Sequence, residues 1–380
     1  VKRPFLFAVL LAPGAALAQT PDAPPPTTEL FGLPVTYGGQ LDAKLQGEFS
    51  APNRAKSRVT VFSDAELQLY VNHGEWFSLN SDIKLERNRR DNINSYFPDR
   101  DSAFRSDTLT LRQLYATFRP VDALDLYAGK IHPKFGSAYA QLPGYFYNFA
   151  TDYEQDERIG GGVQYHFGDA GPVKDLRIGI ETYFLDTSDL SSTLPRGPAI
   201  GDPTADRYYK YTRGQFGPSN TGSFSSFNAY IQGGRKGQGL AWQASVTREA
   251  TADPAGDTEF GQSVSASYDP TGDGIPLTPR IGLTPFVEYA HFTNFAGIKS
   301  LERHYLLGGA TIGFAKWELA ATASLRDSRG IAAGTDHQQN ISLTYEIIDG
   351  FKLGAGINHV TLAGKHSWTL APAIAYSTSF

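Results

Sequence analysis

The 380-residue chain contains no cysteine and no methionine. Without cysteine there are no disulfides, no thiolate metal sites and no cysteine chemistry, so stability must come from hydrogen bonding and packing. Long apolar runs are scarce too. The longest, Phe5 to Leu11, is too short for a transmembrane helix, which needs about 20 apolar residues. It follows Lys2-Arg3 and precedes Ala16-Leu17-Ala18, the pattern of a secretory signal over residues 1–18. Losing Lys2 and Arg3 with that segment takes the formal charge from −5 to −7, a mild acidity that argues against nucleic acid as a partner. Mean hydropathy is only −0.32, yet aromatic residues reach 13%, with 24 Phe and 20 Tyr, beside 39 Gly. A hydrophilic average with many rings fits a wall whose strands show apolar side chains to lipid and polar ones to a lumen.

Residues 19–34 include the Pro-rich stretch Thr20 to Thr28, expected as an extended leader outside any sheet. From Val35 the pattern has period 2. Val35, Tyr37, Leu41, Ala43, Leu45 and Phe49 share one face, and Gln40, Asp42, Lys44, Gln46 and Glu48 the other. Sixteen such segments are expected over 35–380, near residues 35–50, 58–73, 75–88, 108–119, 124–136, 158–167, 175–187 and 222–233, then 240–250, 258–268, 281–293, 300–313, 316–328, 337–347, 350–361 and 367–380. The fold class is therefore an all-β, antiparallel transmembrane barrel. Connections alternate between short (His73-Gly74, Asp349-Gly350) and long (88–107, 137–157, 188–221), which places both termini on the short-turn, periplasmic side. Asp269 to Arg280 is long for a short-side turn and is the place where a register slip is expected. Tyr37 and Phe49, and Tyr127 and Phe135, mark opposite ends of their strands. Trp242, Trp317, Trp368 and Phe380 are expected together at the periplasmic ends, at headgroup level.

Signal, sixteen strands, alternating turn lengths and a terminal Phe380 together resemble the general porins of Gram-negative bacteria, especially the alphaproteobacterial type. Leu126 to Gly136 (LYAGKIHPKFG), running into Ser137 to Glu157, is similar to the porin strand that feeds the third external loop. The resemblance implies that this loop folds into the lumen and narrows it, that the chain is an outer-membrane homotrimer surrounded by lipid and lipopolysaccharide, and that ions and small hydrophilic solutes cross it by passive diffusion. Candidate trimer contacts are Gly160-Gly161-Gly162 and the Gly/Ala-rich strands Leu306 to Leu325 and Lys352 to Ala375.

Sixteen strands enclose an aqueous channel. Parity directs Lys44, Lys84, Arg112, Lys130, His132, Lys134, Arg158 and Arg177 inward, opposite a third loop carrying Tyr139, Tyr145, Tyr147, Asp152, Glu154, Asp156 and Glu157. Bases facing acids across a constriction give a transverse field that favours polar solutes; the same residues equally suit a merely solvated lumen. Asp42, Glu48, Asp64, Glu66, Asp82, Glu86 and Glu181 also point inward, and with the net charge they suggest weak cation preference. Arg196, Arg207, Lys210 and Arg213, with Tyr208, Tyr209 and Tyr211, suit either lipopolysaccharide phosphates or an ordinary surface loop. A channel specific for sugar, carboxylate or phosphate is the alternative; the inward aromatics Phe62, Tyr70, Tyr183, Phe286 and Tyr305 are too scattered to form a track. A plugged transporter lacks room for its N-terminal domain. An outer-membrane enzyme is the remaining class, but none of the eight histidines stands two residues before a serine, and His-Glu-x-x-His and Gly-x-Ser-x-Gly are absent. No cofactor, no metal and no catalytic residue is assigned.

Overall fold

The computed structural model describes residues 27–380 except 31, 53–56, 88–100, 105–106, 147–148, 171–172, 189, 191–216, 236–237, 273 and 279–280. The expected signal, Tyr147 and the basic-aromatic stretch Arg196 to Arg213 thus lie outside the described residues. Sixteen strands form the wall: β1 Leu33–Pro52, β2 Arg58–His73, β3 Phe77–Arg87, β4 Asp107–Val121, β5 Leu124–Ile131, β6 Arg158–Ala170, β7 Val173–Leu185, β8 Ser226–Gly233, β9 Gly239–Glu249, β10 Glu259–Asp269, β11 Ile281–Thr293, β12 Glu302–Phe314, β13 Trp317–Arg329, β14 Gly334–Ile348, β15 Phe351–Leu362 and β16 Lys365–Ser379. Each pairs antiparallel with the next, and β16 returns to β1 from Ser367↔Pro52 to Ser379↔Gln40. Closure removes the exposed edges that an open sheet would present to lipid. Backbone bonds from Gly39 N–H to the Phe380 carbonyl (2.9 Å) and from Phe380 N–H to the Gly39 carbonyl (3.0 Å) finish the seam. No described helix is long and apolar enough to cross a membrane, which says nothing of strands.

Burial is inverted relative to a soluble protein. Adjacent positions read Ile180 61% exposed and Glu181 1%, Val287 48% and Glu288 0%, Ile357 52% and Asn358 3%. Alternation puts the apolar member of each pair outside and the polar member inside. Leu306, Ile341, Leu370 and Ile374 continue the outer apolar band, the arrangement of a lipid-facing wall.

Several expectations need correction. Thr27–Leu30 is not an unpaired leader: it pairs with Leu33–Thr36 at the start of β1. The register slip expected at Asp269 to Arg280 does not reach the wall: β10 stays in register with β11 from Phe260↔Thr293 to Ser267↔Phe286, and the one shift falls between Pro276 and Thr278 of a short strand, Ile275–Thr278, on the start of β11. β5 ends at Ile131, so residues 132–136 leave the wall. Within β5 the inward set is the opposite of that expected. Tyr127 donates to Glu181 Oε1 (2.6 Å) inside; past the end of the strand, Phe135 is buried against Phe292. Trp368 is not at the short-turn end with Trp317. β16 starts where the chain crosses from the loop side, and Trp368 pairs with Ala51 at the far end of β1. Nor do Gly160 and Gly162 face outward as trimer contacts. A Cβ at Gly160 would meet Tyr183, and one at Gly162 the Tyr127 ring, so both glycines make room for inward tyrosines.

Candidate functional site

The connection from β5 to β6, residues 132–157, is the third on the long-loop end, and its contacts reach opposite walls. A short helix, Ala138–Gln141, starts where Glu288 of β11 accepts the Ser137 N–H (2.5 Å), the Ala138 N–H (3.0 Å) and the Ser137 hydroxyl (3.2 Å). The other oxygen of Glu288 accepts the Tyr153 hydroxyl (2.5 Å), so one buried carboxylate holds both arms of the loop. One residue beyond Ala138, the Tyr139 hydroxyl accepts from Lys84 of β3 (2.8 Å), and its ring lies 5.2 Å from the Arg112 guanidinium of β4. The loop then crosses to β14, where the Tyr145 and Thr344 hydroxyls bond at 2.8 Å, and Phe146 packs with Ala371 and Ala373 of β16. Its return passes a core of Phe149, Tyr153, Phe292, Phe295 and Tyr305. A segment tied to β3 and β4 on one side and to β11–β16 on the other spans the lumen.

Charge is organised at two places along it. At the first, Arg112 binds Asp156 (2.8 Å) and Glu154, and His132 Nδ1 lies 2.9 Å from Asp156. Arg112 owes its position to a bulge. Asp82 pairs with Gln113 and Ile83 with Leu111, which leaves Arg112 as the extra residue and adds a second inward side chain beside Gln113. Burial would raise the Asp156 carboxyl, but the Arg112 guanidinium and the His132 hydrogen bond outweigh it and hold the group below its ordinary value. Glu154 goes the other way. Burial pushes it well above the usual carboxylate range, Asp156 beside it adds to the effect, and Arg112 offsets only part. At the second place, Asp152 binds Arg326 of β13 (2.6 Å), lies 3.7 Å from Arg303 of β12, and accepts from the Tyr305 hydroxyl (3.2 Å). Arg326 also holds Asp336 at 2.7 Å.

Of the expected basic wall, Arg112 and His132 meet the loop acids, Lys84 meets the loop through Tyr139 while pairing with Glu66 of the wall (3.5 Å), and Arg158 joins them through the Asp156 carbonyl (2.6 Å) while binding Glu249 (3.2 Å). The others are placed elsewhere. Lys44 bonds Asp64 across β1 and β2 (3.4 Å), Lys134 donates to Gln164 (2.5 Å), and Arg177 binds Asp175 near the short-turn end of β7. Lys130 is in register with Leu114 and Ile159, not with the inward set, and pairs with Asp186 (3.0 Å) and Glu157 (3.7 Å). That takes Glu157 out of the constriction as well. Glu288, Arg303 and Arg326 were missed. Parity marks the two arginines as inward, but the expected wall stopped at β7.

His132, Glu154 and Asp156 offer ligand atoms within 4.8 Å of one another. Arg112 already occupies both carboxylates, so no ion is assigned there. Below the loop, a cavity of about 1120 Å³ opens toward the short-turn end, lined by Gln141, Leu142, Gln243, Thr284, Thr311 and Glu318 among others.

No protein-family model matches the sequence, and no curated relative matches it. Among solved structures, OmpF of Salmonella typhi is similar with a TM-score of 0.58 at 13% identity, covering 93% of this chain and 100% of that one. OprB of Pseudomonas putida at high pH gives 0.57 at 12%, covering 91% and 94%. The anion-selective porin of Comamonas acidovorans gives 0.56 at 13%, covering 90% and 99%. Identities this low carry the likeness of fold alone, and the closed sixteen-stranded wall is the common feature: this chain has the barrel fold of the outer-membrane porins.

Proposed function

We propose that the chain is an outer-membrane porin through which ions and small hydrophilic solutes diffuse passively, with short turns and both termini toward the periplasm. The observation that carries this reading is the loop 132–157 crossing a polar lumen, with Glu154 and Asp156 on Arg112 at one side and Asp152 on Arg303 and Arg326 at the other. Paired acids and bases at both ends of the crossing segment line the passage with polar, charged groups that favour dipolar solutes over apolar ones. An aqueous interior is supported by the polar side chains of Gln243, Thr284, Thr311 and Glu318, which line the open cavity below the loop.

The inward aromatics disfavour a sugar-specific track. Phe62, Tyr183, Phe286 and Tyr305 are at most 6% exposed and are used in packing. Catalysis is disfavoured by the lumen's histidine–carboxylate pairs. His132–Asp156 and His166–Asp125 each share the carboxylate with an arginine, Arg112 or Arg119, as a charge network does. A homotrimer is part of the proposal, through the outer faces of β13–β16, where Ala321, Ala323 and Ala355 replace bulky residues.

Liposome swelling with neutral sugars of graded size tests the reading. Rates should fall smoothly with solute size for all sugars alike. Swelling with one sugar only would move the function to a specific channel, and no swelling from a folded barrel would remove the diffusion reading.

A further inference from the structure

The outer wall carries a cluster that transport through the lumen does not use. His291 of β11 and His304 and Glu302 of β12 have the parity of the exposed Val287 and Leu306, so they face outward, near the long-loop end. One ligand atom from each lies within 4.8 Å of the other two. The two imidazoles stack with centroids 4.3 Å apart and planes 15° from parallel. His304 Nδ1 is hydrogen-bonded to the Tyr289 hydroxyl (2.8 Å), while its Nε2 is sealed from solvent without a partner among the described residues. His291 Nδ1 lies 3.3 Å from the Gln262 amide. Asp327 is directly across from His304 on β13 and adds a carboxylate to the same face.

We propose that His291, His304 and Glu302 bind a divalent transition-metal ion of the zinc or copper class on the outside of the barrel. Two imidazoles and a carboxylate are a donor set for such ions, with a fourth position left for water or another ligand. Tetrahedral zinc holds its donors about 3.3 Å apart, so small side-chain rotations close the site. Ligation through His304 Nε2 requires the proton on Nδ1, where the Tyr289 oxygen accepts it. For His291, the Gln262 amide oxygen serves the same purpose when turned toward Nδ1. Outer hydrogen bonds of this kind fix tautomer and ring orientation in metal sites. Without an ion, the buried Nε2 of His304 has no role, and two imidazoles face each other where protonating both would set like charges in contact. The stacked pair His359–His366 on β15 and β16 is the natural control, because its third ring neighbour is Trp368 rather than a carboxylate.

The test is a zinc chloride titration of the purified full chain in detergent, read by calorimetry. One ion per chain is expected. His291→Ala and His304→Ala should each weaken binding at least tenfold, Tyr289→Phe about tenfold through lost orientation, and His359→Ala not at all. Absent saturable binding, or binding that survives both first-named variants, overturns the proposal. Should those variants fail to fold, copper-loaded wild-type protein answers by electron paramagnetic resonance. Couplings to two nitrogens support the site, and one or none overturns it. The site and its test are independent of the channel reading.

Discussion

Replacing Glu288 by alanine should release the loop from its central anchor without opening the barrel. The fully buried carboxylate accepts four hydrogen bonds, three on one oxygen from Ser137 and Ala138 and one on the other from Tyr153. Counting about 1 kcal/mol net for each, as lumen water takes over the freed groups, gives about 4 kcal/mol. That is nearly three decades in a local opening equilibrium. Hydrogen exchange followed by mass spectrometry reads it directly, because the Ser137 and Ala138 amides themselves donate to Glu288. Their exchange should accelerate roughly a thousandfold, while amides of β10–β12 keep their protection. Glu288→Gln should fall between, since an amide keeps one accepting oxygen and turns an NH2 toward the other donors. Unchanged exchange at 137–138 in a folded Glu288→Ala barrel would refute the anchoring argument.

Arg112→Met removes one positive charge from the crossing, an effect of about 1 kcal/mol in a hydrated lumen. The cation-to-anion permeability ratio should rise about fivefold, read from reversal potentials in a salt gradient; an unchanged ratio means that Arg112 does not face the ion path. Selectivity should also shift toward cations as pH rises through the raised Glu154 value, because Glu154, held protonated by burial and by Asp156, then ionises. The folded loop loses the stability tied to that proton as pH climbs from the ordinary glutamate value to the raised one. Asp156 behaves oppositely, its contribution being present above the ordinary aspartate value and lost on acidification. Glu154→Gln should flatten the alkaline shift, and persistence of the shift in that variant contradicts the assignment. A Cβ at Gly354 would collide with the Tyr145 hydroxyl, so Gly354→Ala should detach the loop from β14 and increase single-channel noise, as Tyr145→Phe does more weakly. Ile180→Lys, at a position 61% exposed, should cost about 2–4 kcal/mol of folding stability in a bilayer; a neutral result there would deny that β7 faces lipid.

Alternation alone was enough to place the wall. β2 and β11 have the expected bounds, 58–73 and 281–293, because period-2 alternation runs through each, with Ser63 on β2 and His291 on β11 as polar breaks in the outer face. Parity failed where the chain breaks it. On β4 the apolar set moves from Leu109 and Leu111 to Leu114, Ala116 and Phe118; that one-residue shift is the trace of the Arg112 bulge and was legible. On β5, Leu126, Tyr127 and Ala128 are apolar in succession and Gly129 has no side chain to mark a face, so two parities fit equally well and the expected one is not the one the strand adopts. That single ambiguity misplaced Tyr127 and Lys130 together. The inward course of the loop rested on family resemblance, not on its residues. Its anchor, Glu288, is a glutamate on an inward parity like several others, and only the folded chain brings it to Ser137.

Single-channel conductance of the purified chain in a planar bilayer, under a potassium chloride gradient, tests the central claim. A water-filled barrel crossed by a charged loop predicts stable conductance steps and a mild cation preference that Arg112→Met strengthens. A protein that is folded by circular dichroism, inserts, and still passes no current would contradict it.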